Sequence, residues 1–302
     1  SFVCTAMTAL ISKDNTKKQI MQALEISDND ADAQQVAEQL LAILERTYMS
    51  GNNFIITGSN DIWPNANIEI NLDEFRILRD VLQLSITPQT FPQPGCDFIN
   101  HFIEEKTKGL IKNLLSPGDV DEVSYLLTNC VYFKADWQTQ FGQEATRDGQ
   151  FNGFNGPTPT KLMFKEANYS YAKVDDVQLL EIPYQGIPFS MVFMLPQDGT
   201  PEALQSLVSR LNETTFAAMC SQLRMLHGTV TIPKFKIEWG AQSLKQMLQT
   251  LGATDMFDRS KAKLPANSFV SDVIQKAVII VDEKGTEAAA ATAMMMMMRA
   301  FF

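Results

Sequence analysis

Few residues of this chain are placed to perform chemistry. The two histidines, His101 and His227, are dispersed, and so are the four cysteines, Cys4, Cys96, Cys130 and Cys220. No CxxC pair and no metal-ligand spacing joins them, so no metal site is expected. The thiols read as single buried or half-buried side chains, with one disulfide as the alternative. There is no GxSxG elbow, no P-loop and no HExxH, which argues against an enzyme and implies no cofactor. The anomalous segment is the last one, residues 283–302, EKGTEAAAATAMMMMMRAFF. Its four consecutive alanines favour a helix by propensity, and Thr286-Glu287 would start one. Yet it has no amphipathic stripe and follows a strand that ends in Asp282-Glu283-Lys284. From Ala288 to Ala293 it is small and uncharged, so it would fit between neighbouring strands, and Gly285 offers a hinge at low steric cost.

The elements that must carry this segment can be read from periodicity. Asp14-Asn15-Thr16 supplies an N-cap for a helix over Lys17 to Leu24, with Ile20, Ala23 and Leu24 on one face. A second helix runs from Ala31 to Tyr48 on the stripe Val36, Leu40, Leu41 and Leu44. A third spans Phe98 to Leu115, with Phe98, Ile99, Phe102 and Ile103 inward, interrupted at Gly109 and ended by Ser116-Pro117-Gly118. A fourth covers about Ala241 to Leu251 and stops at Gly252. Strands are expected at Phe54 to Thr57, Tyr125 to Trp137, Phe189 to Leu195 and Val273 to Val281. Tyr125 to Trp137 carries little charge before Lys134 and reads as central in a sheet. In Thr229 to Trp239 the inward phase changes at Pro233, which suggests a bulge or a switch between sheets. No repeat or linker divides the chain, and the reading is one α+β domain.

Composition narrows the partners. The 302 residues are 45% hydrophobic and 20% charged, which is enough for a large core. No apolar run reaches the ~20 residues of a membrane-spanning helix. The net charge of −10 carries no basic cluster, which argues against nucleic acid. The chain begins at Ser1 in mid-pattern, as a truncated or processed N-terminus would. Two N-x-S/T sequons, at Asn168 and Asn212, tilt slightly towards secretion.

The run Val281-Asp282-Glu283-Lys284-Gly285-Thr286-Glu287-Ala288-Ala289-Ala290-Ala291-Thr292 resembles the hinge of the serpins, where a bait loop leaves the central sheet. Residues 129–137 (NCVYFKADW), the helix from Ile99 to Leu115, Ile232-Pro233-Lys234-Phe235 and residues 271–277 (SDVIQKA) resemble the same family. The likeness extends over nearly the whole chain. It implies a single serpin domain over 1–302, an α+β fold with about eight or nine helices and three β-sheets, whose large central sheet accepts the loop as an extra strand. The family's N-terminal helix and the strands that follow its loop have no counterpart in these residues.

The resemblance also implies an activity: irreversible, suicide inhibition of serine proteases by a loop at 283–302, cut and then inserted. The hinge would comprise Glu283, Gly285, Thr286, Glu287, Ala288, Ala289, Ala290, Ala291 and Thr292. Inserted side chains alternate, which would turn Thr286, Ala288, Ala290 and Thr292 to the core and Glu287 to water. Family register puts the scissile bond at Arg299-Ala300, and an Arg bait suits trypsin-like proteases. A cut after Met298, Phe301 or Phe302 would instead suit chymotrypsin-like or cathepsin-G-like enzymes, and a non-inhibitory carrier or chaperone is a further alternative. Lys234, Glu283 and Trp137 look like the breach where insertion begins. Asn129 and Gln275, the latter in the place of the usual histidine, look like the shutter lower in the sheet. The implied partners are serine proteases, held covalently by a monomer, with no nucleic acid and no membrane. The acidic helix over Ala31 to Tyr48 argues against heparin. The implied location is extracellular, with the cytoplasm as the alternative.

Overall fold

The computed structural model describes residues 2–26, 33–153 and 156–298. Three helices open the chain: α1 (Phe2–Ile11), α2 (Asp14–Ala23) and α3 (Ala33–Thr47). α1 is apolar on nearly every side and is buried from Cys4 to Ile11, as a helix inside a core should be. α3 buries the stripe Val36, Ala37, Leu40 and Leu44 and leaves its polar face outside. Next come β1 (Met49–Gly51), β2 (Phe54–Pro64), α4 (Arg76–Asp80), β3 (Ser85–Ile86), α5 (Gly95–Lys106) and β4 (Val123–Asp136). The middle of the chain holds β5 (Arg147–Gly153), β6 (Gly156–Val174), β7 (Val177–Pro183), β8 (Ser190–Pro196), α6 (Pro201–Arg210) and α7 (Glu213–Cys220). β9 (Arg224–Ser243), α8 (Lys245–Thr250), β10 (Ser268–Val281) and β11 (Gly285–Met298) complete the described chain.

The expected α+β architecture is present. The strands form one linked network in the order β1-β2-β4-β11-β10-β9-β6-β7-β8, with β3 beside β2 and β5 beside β6. The sheets are linked because β9 is long enough to serve two partners. Residues Arg224 to Lys234 pair with β6, and Phe235 to Ser243 pair with β10. The change of partner falls between Lys234 and Phe235, just past Pro233, where the sequence phase breaks and a donor is missing.

Two expected helices end elsewhere. α5 stops at Lys106, because Lys108 and Gly109 adopt φ of 54° and 80°. Ile111, Leu114 and Leu115 remain buried without being helical, tied to α5 by two hydrogen bonds between the Asn100 side chain and the Leu115 backbone, at 2.8 and 2.9 Å. Within α5, Ile99 and Ile103 are buried, whereas Phe98 is exposed and meets Trp63 edge-on. The fourth helix is only α8, because β9 runs on to Ser243 in its pairing with β10.

Two cores lie on opposite faces of the sheet. One, beneath α1 to α4, includes Ile62, Tyr125, Val273, Met294 and Met296. The other, beneath α5, includes Trp63, Ile99, Ile103, Ala289, Ala291, Ala293 and Met295. β11 contributes to both, as only a central strand can.

Candidate functional site

From Gly285 onward, the residues expected to form the hinge and the methionines after them form β11, antiparallel to β4 on one side and to β10 on the other. Gly285 stands opposite Asp136, and Thr292 stands between Asn129 and Gln275. No proline interrupts either ladder. Gly285 is required by contact: a Cβ there would lie 2.0 Å from the Ala135 carbonyl oxygen.

The expected alternation holds at the ends of the small-residue run and fails in its middle. Thr286 and Thr292 are buried, but Ala288 and Ala290 are half-buried. Their face opens onto an apolar hollow bordered by Val131, Phe133, Ile237 and Trp239, and the last two are 56% and 44% exposed. The other face is the drier one, with Ala289, Ala291 and Ala293 buried under α5. Glu287 is half-buried instead of fully in water. It accepts from the Tyr132 hydroxyl at 2.6 Å and from Lys134 Nζ at 3.4 Å, since the pleat of β4 places both residues on its side. Burial first, and then the Glu287 carboxylate, push the Tyr132 phenol well above its ordinary range.

At the upper end of the strand Lys234, Glu283 and Trp137 come together. Lys234 Nζ lies 2.8 Å from Glu283 Oε2, and the Thr146 hydroxyl donates to Oε1 at 2.9 Å. Trp137 is buried and stacks on Tyr184 at 4.8 Å between ring centroids, and its indole donates to the Asp282 carbonyl at 2.9 Å. The Trp137 and Phe141 amides donate to the carbonyls of Lys284 and Glu283. Tyr184 reaches further, its hydroxyl donating to Thr286 Oγ1 at 2.9 Å. The turn into β11 is therefore held by side chains from three other segments.

Burial opposes the Glu283 carboxylate, but Lys234, the backbone and Thr146 together hold it below its ordinary 4.5. The hydrogen bond to Glu283 raises Lys234 above its ordinary 10.5. A depressed acid stabilises above its unfolded value and loses that contribution as pH falls through its folded value; a raised base loses it as pH rises through its folded value. The pair should therefore contribute between about pH 4.5 and 10.5. Lys234 is 44% exposed, which limits the gain to about 1 kcal/mol. Lys234→Met is expected to lower the melting temperature by about 2 °C near neutral pH, and the difference should shrink progressively as pH falls below 4.5. A difference independent of pH in thermal melts would remove the ion pair from the explanation.

β11 is thus a strand rich in small residues, registered between two strands of its own length, with a latched turn above it. The family model described as Serpin (serine protease inhibitor) matches residues 2–301. This chain belongs to the serpin family. It is 30% identical to antithrombin-III of Mus musculus over a 310-residue alignment covering 94% of the chain and 63% of that protein. With Iripin-2 of Ixodes ricinus it shares 32% over 291 residues, covering 92% and 71%. With the leukocyte elastase inhibitor of Equus caballus it shares 35% over 220 residues, covering 68% and 57%. The chain thus spans about three fifths of the length of antithrombin-III and of the elastase inhibitor. Among solved structures, cleaved Serpin 42Da superposes with a TM-score of 0.87 at 26% identity, over 98% of this chain and 81% of that one. A loop-inserted, cleaved ovalbumin mutant gives 0.90 at 21% identity, over 98% and 83%, a likeness of fold.

Other candidate residues of this serpin fall into place less directly. Asn129 and Gln275 do not meet. β11 runs between them, about 10 Å of sheet separating the two strands that carry them, and Asn129 donates instead to Asn60 Oδ1 at 2.8 Å. Below Thr292, the Cys4 thiol points at its carbonyl oxygen at 3.8 Å. All four cysteines are free, which closes the disulfide alternative. Burial pushes the Cys4 and Cys130 thiols up to about 12, so neither is a ready nucleophile. Arg299 and Ala300 lie outside the described residues, as do Phe301 and Phe302. Sequence reasoning missed Thr146, Tyr184, Tyr132 and Lys134, four partners of the hinge. None carries a local signal, because each meets the hinge only through sheet pairing or a loop crossing.

Proposed function

We propose that this serpin is a suicide inhibitor of trypsin-like serine proteases, with Arg299-Ala300 as the bait bond. The observation that carries this reading is β11: the residues just before the bait can be a complete central strand, paired along both edges. In the proposed reaction the protease serine attacks the Arg299 carbonyl, the Ala300 amine leaves, and an ester joins Arg299 to the enzyme. If residues 285–298 enter the sheet before water hydrolyses the ester, the protease is carried along. Fourteen residues at about 3.3 Å each span on the order of 45 Å. About a dozen new ladder bonds at about 1 kcal/mol net supply a drive on the order of 10 kcal/mol.

The breach role proposed for Lys234, Glu283 and Trp137 fits this sequence of events, since they border the point where β11 starts. Asn129 and Gln275 act as the shutter in the sense that the strand must pass between them. On this reading the protein acts as a monomer and has no catalytic cycle of its own. Neither nucleic acid, membrane nor heparin is needed; among the described residues no helix is long and apolar enough to cross a membrane. An extracellular site is favoured by sequons whose asparagines, Asn168 and Asn212, are both exposed.

The test is incubation with trypsin, thrombin, elastase, chymotrypsin and cathepsin G. The expected result is an SDS-stable complex with the first two, and mass spectrometry should find a released peptide beginning at Ala300. A peptide beginning after Phe301 or Phe302 would move the specificity to chymotrypsin-like enzymes. Cleavage without any stable complex would favour a non-inhibitory relative.

A further inference from the structure

Five consecutive methionines, Met294 to Met298, close the inserted strand. Recognition by a protease does not call for five thioethers, and their surroundings differ sharply. Met294, Met295 and Met296 are 0%, 2% and 0% exposed, whereas Met298 is 39% exposed. Because side chains alternate along a strand, the buried three divide between the two cores. Met294 and Met296 sit beneath α1 to α4 beside Tyr125 and Val273. Met295 sits on the opposite face beside Trp63 and Ile274. The Thr8 hydroxyl, which also donates to the Cys4 carbonyl, points at the Met294 sulfur.

This inference rests on the inhibitory reading above: before cleavage the same residues lie in a solvent-exposed loop, and afterwards they occupy both dry faces of the sheet. Insertion therefore reports the oxidation state of these sulfurs. We infer that Met294, Met295 and Met296 form an oxidation site that decides whether the protein traps its protease or is merely cut by it. The modifying reagent is hydrogen peroxide, a two-electron oxygen donor. A sulfur lone pair attacks the peroxide oxygen, the O–O bond breaks as an S–O bond forms, and the transferred oxygen's proton goes to the departing hydroxide as water. Sulfur is oxidised by two electrons and the peroxide is reduced. The sulfoxide is polar and one oxygen larger. At Met295 and Met296 it meets a core lined by apolar side chains, and at Met294, where only the Thr8 hydroxyl is at hand, as at the other two, it meets packing that cannot absorb the added oxygen. Insertion slows and hydrolysis of the acyl-enzyme wins. Arg299 itself carries no sulfur, and any effect on cleavage from Met297 and Met298 beside it is separated from insertion by replacing those two.

The experiment exposes uncut protein to hydrogen peroxide, maps the sulfoxides by mass spectrometry, and measures the stoichiometry of inhibition and the rate of loop cleavage with trypsin. Three proteins are compared: wild type, M294L/M295L/M296L and M297L/M298L. Peroxide is expected to raise the stoichiometry at least about tenfold for wild type and M297L/M298L, with the cleavage rate of M297L/M298L unchanged. It should leave M294L/M295L/M296L inhibitory, although that variant keeps every other methionine. Nicked wild type should be oxidised at Met298 but protected at Met294 to Met296. The inference is overturned if wild type carrying sulfoxides at those three positions still inhibits with its original stoichiometry, if the leucine variant loses inhibition equally, or if the nicked protein is not protected. Absence of a stable complex before any peroxide is added would instead sink the inhibitory reading, and this inference with it.

Discussion

On the proposed inhibitory reading, arginine in place of Ala291 is expected to convert the protein from an inhibitor into a substrate. Ala291 is 1% exposed in the core beneath α5, among Ile99, Ile103, Ala289 and Ala293. A guanidinium keeps its charge at any working pH, and the buried acid on that face, Asp61, stands on β2, two strands from Ala291, where it accepts from Ser59. Burying such a charge unpaired costs several kcal/mol, and each 1.4 kcal/mol is a factor of ten in rate or population. With trypsin, Ala291→Arg should be cut at the wild-type rate, yet its complex should fall at least about tenfold. The nicked variant should melt close to the uncut one, whereas nicking should raise the melting temperature of wild type. Full complex formation by the variant would show that Ala291 need not enter the sheet.

The second large effect is expected at Gly285. The atoms a side chain would strike there belong to backbone, the Ala135 carbonyl at 2.0 Å and the Asp136 Cα at 2.9 Å. Backbone of a paired strand cannot rotate aside as a side chain can. Gly285→Val should therefore break the first pairs, Gly285 with Asp136 and Thr286 with Ala135, and with them the Tyr184 contact to Thr286. Overpacking of this kind costs about 1–3 kcal/mol, enough to slow insertion about tenfold. Stopped-flow comparison of acyl-enzyme formation with its later trapping should show only the second step delayed. A variant that traps as fast as wild type would mean that insertion begins lower in the strand.

What the chain discloses before folding depends on how local each signal is. The identity of β11 was legible because a run of alanines without a stripe, after a strand and a glycine, suits the space between two strands better than a helix surface. The partner switch in β9 was legible for a similar reason, as Pro233 breaks the phase and lacks a donor just before the switch. The interruption of α5 at Gly109 was legible, but its failure to resume was not, since Leu110, Ile111, Leu114 and Leu115 continue a helical spacing. What ends the helix there is the positive φ at Lys108 and Gly109, and a lysine does not announce one. Ala288 and Ala290 were expected inside on parity alone. Parity says which face a residue takes, and only tertiary packing says whether that face is covered. The separation of Asn129 from Gln275 is likewise invisible in one dimension, because it depends on whether a third strand lies between them.

Strand direction has a consequence of its own. β4 and β10 each run opposite to β11, so they run the same way as each other. With β11 withdrawn they could close only as a parallel seam, whose slanted bonds hold slightly less well per residue than antiparallel ones. Filling the gap trades one such seam for two of the better kind, and the preference is written into the route of the backbone rather than into any single side chain.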